Sequence, residues 1–228
     1  MREARQTAGP AACPESGKAL RCTLCHHRCL IPPGGLGRCG VRENSAGASG
    51  GNVVFSGGFS LPYYGYVTAA AVDPIEKKPL YHFRPGSRVF SLGFAGCNLR
   101  CPFCQNWHIS QLKDGRAAPG RRMSPEEVLS ALPPDPDARQ IAYTYSEPLI
   151  HIEYLKDCME LAHQRGIANI LVSNGCVNLE KAQEILPLVD AANIDLKCFS
   201  ETTYRQVLGG NLETALDFIK FLVAIHKV

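Results

Sequence analysis

Three cysteines, Cys97, Cys101 and Cys104, are spaced CxxxCxxC in one short loop. The loop follows an apolar run at 89–92 that predicts a strand, and Gly96 allows the backbone to turn tightly within it. A loop this short brings three sulfurs to one metal centre but not a fourth. On a cubane of four irons, three ligands leave one iron without a protein ligand, and that iron can bind a small molecule. The spacing therefore predicts a reactive iron–sulfur site.

Two other interpretations of this loop are open. His108 lies shortly after Cys104 and would close a Cys3His zinc site, although CxxxCxxC is an unusual spacing for zinc ligands. Disulfides are disfavoured because nothing at the N-terminus has the apolar stretch of a signal peptide, so we expect a cytoplasmic protein. Thiols stay reduced in that compartment, and eleven cysteines there favour metal binding.

A second group of cysteines near the N-terminus also has the spacing of metal ligands. A CxxC pair, a third thiol after a turn and a fourth returned by a Gly/Pro loop can close tetrahedrally around one ion, which predicts a structural site. Zinc and an auxiliary iron–sulfur cluster both fit, and His26 or His27 could replace a cysteine. This N-terminal group comprises Cys22, Cys25, Cys29 and Cys39. We interpret the scattered cysteines as small buried apolar residues, namely Cys13, Cys158, Cys176 and Cys198.

The composition limits the classes of partner. A chain of 228 residues can form one domain with a small appendage, and its hydrophobic fraction of 45% and charged fraction of 20% are ordinary for a globular protein. The net charge of +3 is too small to indicate nucleic acid binding. No apolar run reaches the length that spans a membrane, so we expect no membrane partner.

After the cysteine loop, predicted helices and strands alternate. The strands are expected at 140–145, 168–173 and 191–196, and the helices at 149–165, 178–188 and from about 212. Such units imply parallel strands joined by right-handed crossovers, with the ligand site at the carboxyl ends of the strands. The residues predicted to meet there are Cys97, Cys101, Cys104, Ser146, Glu147, Ser173, Asn174, Asp195 and Lys197.

The predicted organisation has three parts. Residues 1–19 form a disordered lead-in, 20–87 a cysteine-rich extension and cover segment, and 88–228 an α/β core. About four strand–helix units precede the last residue, so we expect a partial (β/α) barrel that lacks its C-terminal part and leaves an unpaired strand edge.

Several motifs together resemble one enzyme family. Phe103 directly precedes the third cysteine of the loop, as in the cluster loop of radical S-adenosylmethionine (SAM) enzymes. The motifs DPIEKKPLYHF at 73–83, CQNW at 104–107 and YTYSEP at 143–148 extend the likeness from about residue 20 to the C-terminus. The chain resembles the radical SAM member of the AmmeMemoRadiSam system, a relative of pyruvate formate-lyase activating enzymes.

This resemblance implies a radical SAM type of barrel, a [4Fe-4S] cluster on the three loop cysteines, and SAM as cofactor. The methionyl amine and carboxylate would chelate the open iron, with Glu147 accepting from the amine and Lys197 pairing with the carboxylate. Ser173 and Asn174 would hold ribose hydroxyls, and Asp195 would orient Lys197 or bind a monovalent cation. Phe103 and Ser146 belong to the same implied cofactor site.

The implied reaction is reductive cleavage of SAM to methionine and a 5′-deoxyadenosyl radical that abstracts hydrogen from a substrate. An electron donor such as flavodoxin or ferredoxin would supply the electron. The substrate could be a glycine in a partner enzyme, a small molecule or another macromolecule. Two alternatives of other classes are a non-catalytic iron–sulfur or zinc-binding electron-transfer or interaction module, and a zinc-only structural protein.

Overall fold

The computed structural model describes residues 17–45, 54–112 and 117–225. Most of the lead-in expected at 1–19, and Cys13 with it, lies outside these ranges. The described helices include none long and apolar enough to cross a membrane.

Ten strands are formed by the described residues. They are β1 (Leu20–Arg21), β2 (Leu30–Ile31), β3 (Val54–Ser56), β4 (Phe59–Leu61), β5 (Tyr66–Pro74), β6 (Arg88–Phe94), β7 (Arg121–Arg122), β8 (Gln140–Thr144), β9 (Ala168–Ser173) and β10 (Ala191–Ile194).

Six α-helices accompany them, several as single turns. They are α1 (Trp107–Ser110), α2 (Pro125–Ser130), α3 (Ile152–Gln164), α4 (Leu179–Ala182), α5 (Glu201–Thr203) and α6 (Leu212–Ala224). Short 3-10 helices occupy Ile75–Lys77, Pro136–Ala138, Pro148–His151 and Leu186–Leu188, and a π-helix follows α5 at Tyr204–Leu208.

Six strands form the central sheet in the order β10-β9-β8-β6-β5-β7. The four adjacent strands β6, β8, β9 and β10 run parallel, which confirms the predicted α/β class with a parallel sheet. Parallel strands need crossover connections, and α3 makes the crossover between β8 and β9. The outermost strand β10 pairs only with β9 among the described strands.

The sheet extends across the expected domain boundary at residue 87. Strand β5 lies in the segment 20–87, which was predicted to be an extension and cover, yet it pairs antiparallel with β6 over most of its length. The cover segment therefore contributes a strand to the core sheet. Its run of three alanines has no clear alternation of apolar and polar residues, so local pattern does not indicate a strand there.

The two faces of the sheet pack differently because side chains alternate along each strand. On one face, Leu92 of β6 packs with the fully buried Leu155 and Met159 of α3 in the main core. The opposite face has a smaller apolar cluster, consisting of Ile75, Val89, Ala142, Ile170 and Ala191.

Two predicted helices begin or continue differently from expectation. The helix expected at 149–165 starts as the 3-10 turn Pro148–His151 before α3, and Glu147 caps that turn. The helix expected at 178–188 ends after one turn and resumes as a 3-10 turn that contains Pro187, a residue that cannot donate a helical hydrogen bond. The side chain of Asn178 does not cap α4 but donates to the carbonyls of Thr23 and Cys25.

Candidate active site

The cysteine loop leaves β6 at its carboxyl end and lies directly on the N-terminal segment. Gly96 has a φ of +85°, and a Cβ at this position would come within 2.6 Å of the Cys39 carbonyl oxygen. Only glycine fits both the backbone conformation and the close approach. The loop that carries Cys97 is therefore positioned by β6 on one side and by the N-terminal segment on the other.

The three loop cysteines line one cavity of about 330 Å³ at the carboxyl ends of the parallel strands. The structure brings most of the sequence-predicted site residues to its wall, namely Cys97, Cys101, Phe103, Cys104, Ser146, Glu147, Asn174, Asp195 and Lys197. Ser173 is the exception, because it is buried and its hydroxyl donates to Glu147. It supports the wall and does not line the cavity.

Polar groups surround the cysteine sulfurs. The Sγ atom of Cys97 accepts from the backbone N–H of Leu99 at 3.3 Å and from the Asn174 amide at 3.7 Å. The Cys104 sulfur lies 3.3 Å from the Ser110 hydroxyl. Burial raises the pKa of the Cys97 and Cys101 thiols, and at Cys101 the charge of Lys197 opposes that shift. Such thiols become thiolates when a metal supplies positive charge.

The spacing of the sulfurs bears on which metal group fits. Across the described ranges, no three His, Cys, Asp or Glu side chains are arranged so that they could hold a metal ion. Cys97, Cys101 and Cys104 line the cavity, whereas the exposed His108 is not part of its wall. His108 is therefore not placed to complete a Cys3His zinc site. A cubane needs only the three cysteines, each at a separate corner.

Glu147 is fully buried and tightly held. Its carboxylate accepts from the backbone N–H of Leu149 at 3.0 Å, from the Ser173 hydroxyl at 2.7 Å and from the backbone N–H of Asn174 at 2.9 Å. Burial raises its pKa to about 7, although these hydrogen bonds act in the opposite direction. A carboxylate offers about four acceptor positions, so one remains for a further donor from the cavity.

Lys197 provides the cationic side of the cavity. Its Nζ lies 2.7 Å from Asp195 Oδ2, and its side chain remains about a quarter exposed at 26%. Burial alone would lower the pKa of Lys197, but the Asp195 carboxylate reverses this and the pKa is raised. Of the two roles predicted for Asp195, the contact matches orientation of Lys197.

Ser146 lies in the wall of the cavity and Phe103 at its rim. The Ser146 hydroxyl donates to the Phe94 carbonyl at 2.8 Å and accepts from the Phe94 N–H, which ties the end of β8 to the end of β6. Phe103 is 59% exposed and forms part of the rim. The first of these residues shapes the wall, and the second offers apolar surface to a ligand or partner.

Two site residues, Asn98 and Tyr145, were not found by the sequence analysis. Tyr145 lines the cavity with a φ of +66°, which is rare for a residue with a side chain, and its carbonyl accepts from Asn106 at 2.7 Å. Its hydroxyl donates to Asp73, which also pairs with the buried Lys78. In the sequence, only the motifs that contain these two residues pointed to this region. The type of a single residue does not indicate contacts with residues distant in the chain.

The N-terminal cysteines lie together but in different surroundings. Cys22, Cys25 and Cys39 are buried and Cys29 is partly buried. The backbone N–H of Cys22 donates to the Cys29 carbonyl at 2.8 Å. Burial raises the pKa of Cys25 to about 12, with smaller contributions from the other three thiols.

His26 and His27 do not act as replacements for these cysteines. The ring nitrogens of His26 lie 3.2 Å from the carbonyls of Cys176 and Gly209, and His27 Nε2 lies 2.8 Å from the Asn98 carbonyl. Both half-buried histidines therefore join the N-terminal segment to the rest of the site, whereas the sequence suggested exposed loop positions or alternative ligands.

Comparison with known proteins assigns the family. Residues 92–227 match the family model of the radical SAM superfamily. The chain belongs to the radical SAM superfamily, which confirms the resemblance found in its cysteine loop and implies a [4Fe-4S] cluster, SAM and an electron donor.

Individual relatives are more distant. An uncharacterized protein of Methanocaldococcus jannaschii is 39% identical over 201 residues, covering 88% of this chain and 56% of that protein. The pyruvate formate-lyase-activating enzyme of Clostridium pasteurianum is 28% identical over 144 residues, covering 60% of this chain and 56% of the enzyme. The chain thus spans about half the length of these curated relatives. Among solved structures, QueE from Escherichia coli aligns with a TM-score of 0.43 at 17% identity, covering 72% of this chain and 75% of that chain.

Proposed function

We propose that this protein holds a [4Fe-4S] cluster on Cys97, Cys101 and Cys104 and uses it to cleave SAM reductively. The single observation that carries the proposal is that three partly exposed thiols share one cavity with a lysine–aspartate pair and a buried glutamate. When bound, the cluster and SAM supply the radical chemistry, giving methionine and a 5′-deoxyadenosyl radical that abstracts hydrogen.

The chain itself binds and orients SAM. Lys197, directed by Asp195, pairs with the methionyl carboxylate, and the free acceptor position of Glu147 takes a hydrogen bond from the amine. Asn174 lines the same cavity, but its side-chain amide donates to Asn98 and toward the Cys97 sulfur, so it supports the cluster end of the cofactor site. Ser173 acts through Glu147, because its hydroxyl fixes the Glu147 carboxylate and does not reach the cavity.

The names of the relatives indicate the class of substrate. Relatives named pyruvate formate-lyase-activating enzyme favour a hydrogen atom on a partner protein as the target. The exposed Phe103 and Trp107 beside the cysteine loop offer apolar surface to such a partner or to an electron donor such as flavodoxin or ferredoxin.

Product formation tests this function. The protein is reconstituted anaerobically with iron and sulfide and treated with dithionite and SAM, and 5′-deoxyadenosine is measured by chromatography. We expect 5′-deoxyadenosine from the wild type and none from Cys104→Ala, while Cys198→Ala, at a cysteine outside both groups, retains it. A loaded wild-type cluster that gives no product would favour the non-catalytic electron-transfer or interaction module.

We also propose that Cys22, Cys25, Cys29 and Cys39 bind a second, structural metal group. Within residues 17–45, regular structure is limited to two strands of two residues each, so this segment has little hydrogen-bonded framework of its own. Zinc and an auxiliary iron–sulfur cluster both fit four thiols with this spacing. Elemental analysis for iron, sulfide and zinc distinguishes the two, and zinc alone would support the structural zinc protein.

A further inference from the structure

Asn98 connects the N-terminal segment to the candidate cluster site. It directly follows Cys97 and is fully buried. Its side-chain Nδ2 donates to the Cys176 carbonyl at 2.9 Å, and its Oδ1 accepts from Asn174 Nδ2 at 2.9 Å. Its backbone carbonyl lies 2.8 Å from His27 Nε2. The side chain of Asn98 thus joins the cysteine loop to the loop after β9, and its backbone carbonyl contacts the N-terminal segment.

These contacts determine which way the Asn174 amide points. The Cys176 carbonyl can only accept, so Asn98 must present its Nδ2 to it and its Oδ1 to Asn174. The backbone N–H of Cys176 can only donate, and it donates to Asn174 Oδ1 at 2.8 Å. Both constraints leave Asn174 Nδ2 facing Asn98 and the Cys97 sulfur, at 3.7 Å from the latter. The amide N–H is therefore oriented toward a ligand sulfur by buried neighbours, and Asn98 Oδ1 lies 3.9 Å from the same sulfur.

We propose that Asn98 is a positioning residue that holds the Asn174 N–H on the Cys97 sulfur and thereby raises the reduction potential of the cluster. The proposal rests on the function proposed above. A hydrogen bond to a ligand sulfur stabilises the more negative, reduced cluster, so its loss makes the potential more negative.

The effect is expected to be partial. The backbone N–H of Leu99 also donates to the Cys97 sulfur at 3.3 Å, and no side-chain substitution at Asn98 removes that donor. Since only one side-chain hydrogen bond is lost, the reduction equilibrium should change by no more than about tenfold.

A redox titration of the reconstituted full chain, followed by electron paramagnetic resonance without SAM, tests this inference. Asn98→Leu should load the same iron and sulfide as the wild type but shift the midpoint potential negatively, by up to about 59 mV for the tenfold change in a one-electron couple. Asn169→Leu is the matched control: Asn169 is also fully buried and bonded to the Met159 and Leu188 carbonyls, but lies at the start of β9. It should destabilise the protein without shifting the potential.

The outcomes separate this inference from the proposed function. If the wild type loads no cluster, the proposed function fails. If the wild type binds a cluster and Asn98→Leu has the same midpoint potential as Asn169→Leu, the inference is overturned. Should Asn98→Leu not load, Asn174→Ala removes the same donor directly, and an unchanged potential there overturns the inference equally.

Discussion

The two cysteine groups of this chain differ in what surrounds their sulfurs. Cys97, Cys101 and Cys104 are partly exposed and share a cavity with Lys197 and Glu147. In the N-terminal group of four, three cysteines are buried and all lie in a segment with little regular structure. Three ligands beside an open, charged cavity suit chemistry, whereas four ligands wrapped by backbone suit a structural role. The number of thiols and their burial therefore point to the same division of function.

The largest effect should come from removing one of the three loop cysteines. Cys101→Ala takes away one of only three protein ligands, so we expect loss of the cluster at this site, together with its iron and sulfide. The melting temperature should fall less than on removal of an N-terminal cysteine, because Cys101 is only partly buried and lies beside an open cavity. Metal analysis and differential scanning calorimetry measure the two effects. A Cys101→Ala protein with full cluster content would break the comparison.

Removing a cysteine of the N-terminal group should act on stability first. Cys25→Ala should release the metal group of residues 17–45 and destabilise the protein by about 4 kcal/mol or more, as loss of a structural metal does. Cys158→Ala is the control, because Cys158 is fully buried in the core but belongs to neither group. Its cost should be about 1 kcal/mol, from lost packing alone. Equal costs in urea unfolding would argue against a structural metal group.

The attachment of the N-terminal segment to the core depends on a buried ion pair. Arg42 donates to both carboxylate oxygens of Glu153 at 2.7 Å, and its side chain is 5% exposed. Arg42→Met leaves that carboxylate without its cationic partner, at a cost of about 3 kcal/mol. Replacing Glu153 by Gln in the same chain should recover part of this loss. The exposed pair of Lys220 and Asp217 is the control, where Lys220→Met should cost about 0.3 kcal/mol.

The smallest effect is expected at Lys197, in the cavity beside the three loop cysteines. Lys197→Met removes the cation of the cavity and should weaken SAM binding about tenfold, since the side chain is partly exposed and its charge partly screened. Equilibrium dialysis with labelled SAM measures this change, with Lys220→Met again as the control. Unchanged affinity would mean that the cofactor carboxylate lies elsewhere.

The parallel strands could be predicted from the sequence, but their polar contacts could not. Strand β9 was predicted at 168–173 and is found there, because a strand buried on both faces reads as a continuous apolar run. Strand β5 gave no such run, and its place in the sheet depends on pairing with β6. Strand pairing of this kind is a tertiary effect that local propensity does not contain.

The candidate site shows the same limit. The rule that ligands gather at the carboxyl ends of parallel strands identified Glu147, Asn174 and Lys197, each of which lines the cavity. Asn98, however, looks like an ordinary loop residue in sequence. It is buried by contacts with His27, 71 residues before it in the chain, and with Cys176, 78 residues after it. Roles created by such distant contacts cannot be inferred from local pattern.

The proposed function depends most directly on an iron that the three loop cysteines leave free for SAM. Mössbauer spectroscopy of protein reconstituted with 57Fe, with and without SAM, observes that iron. We predict a minority iron site whose isomer shift and quadrupole splitting change when SAM is added, and which is absent from Cys97→Ala. Spectra from a fully loaded protein that do not respond to SAM would contradict the proposed function.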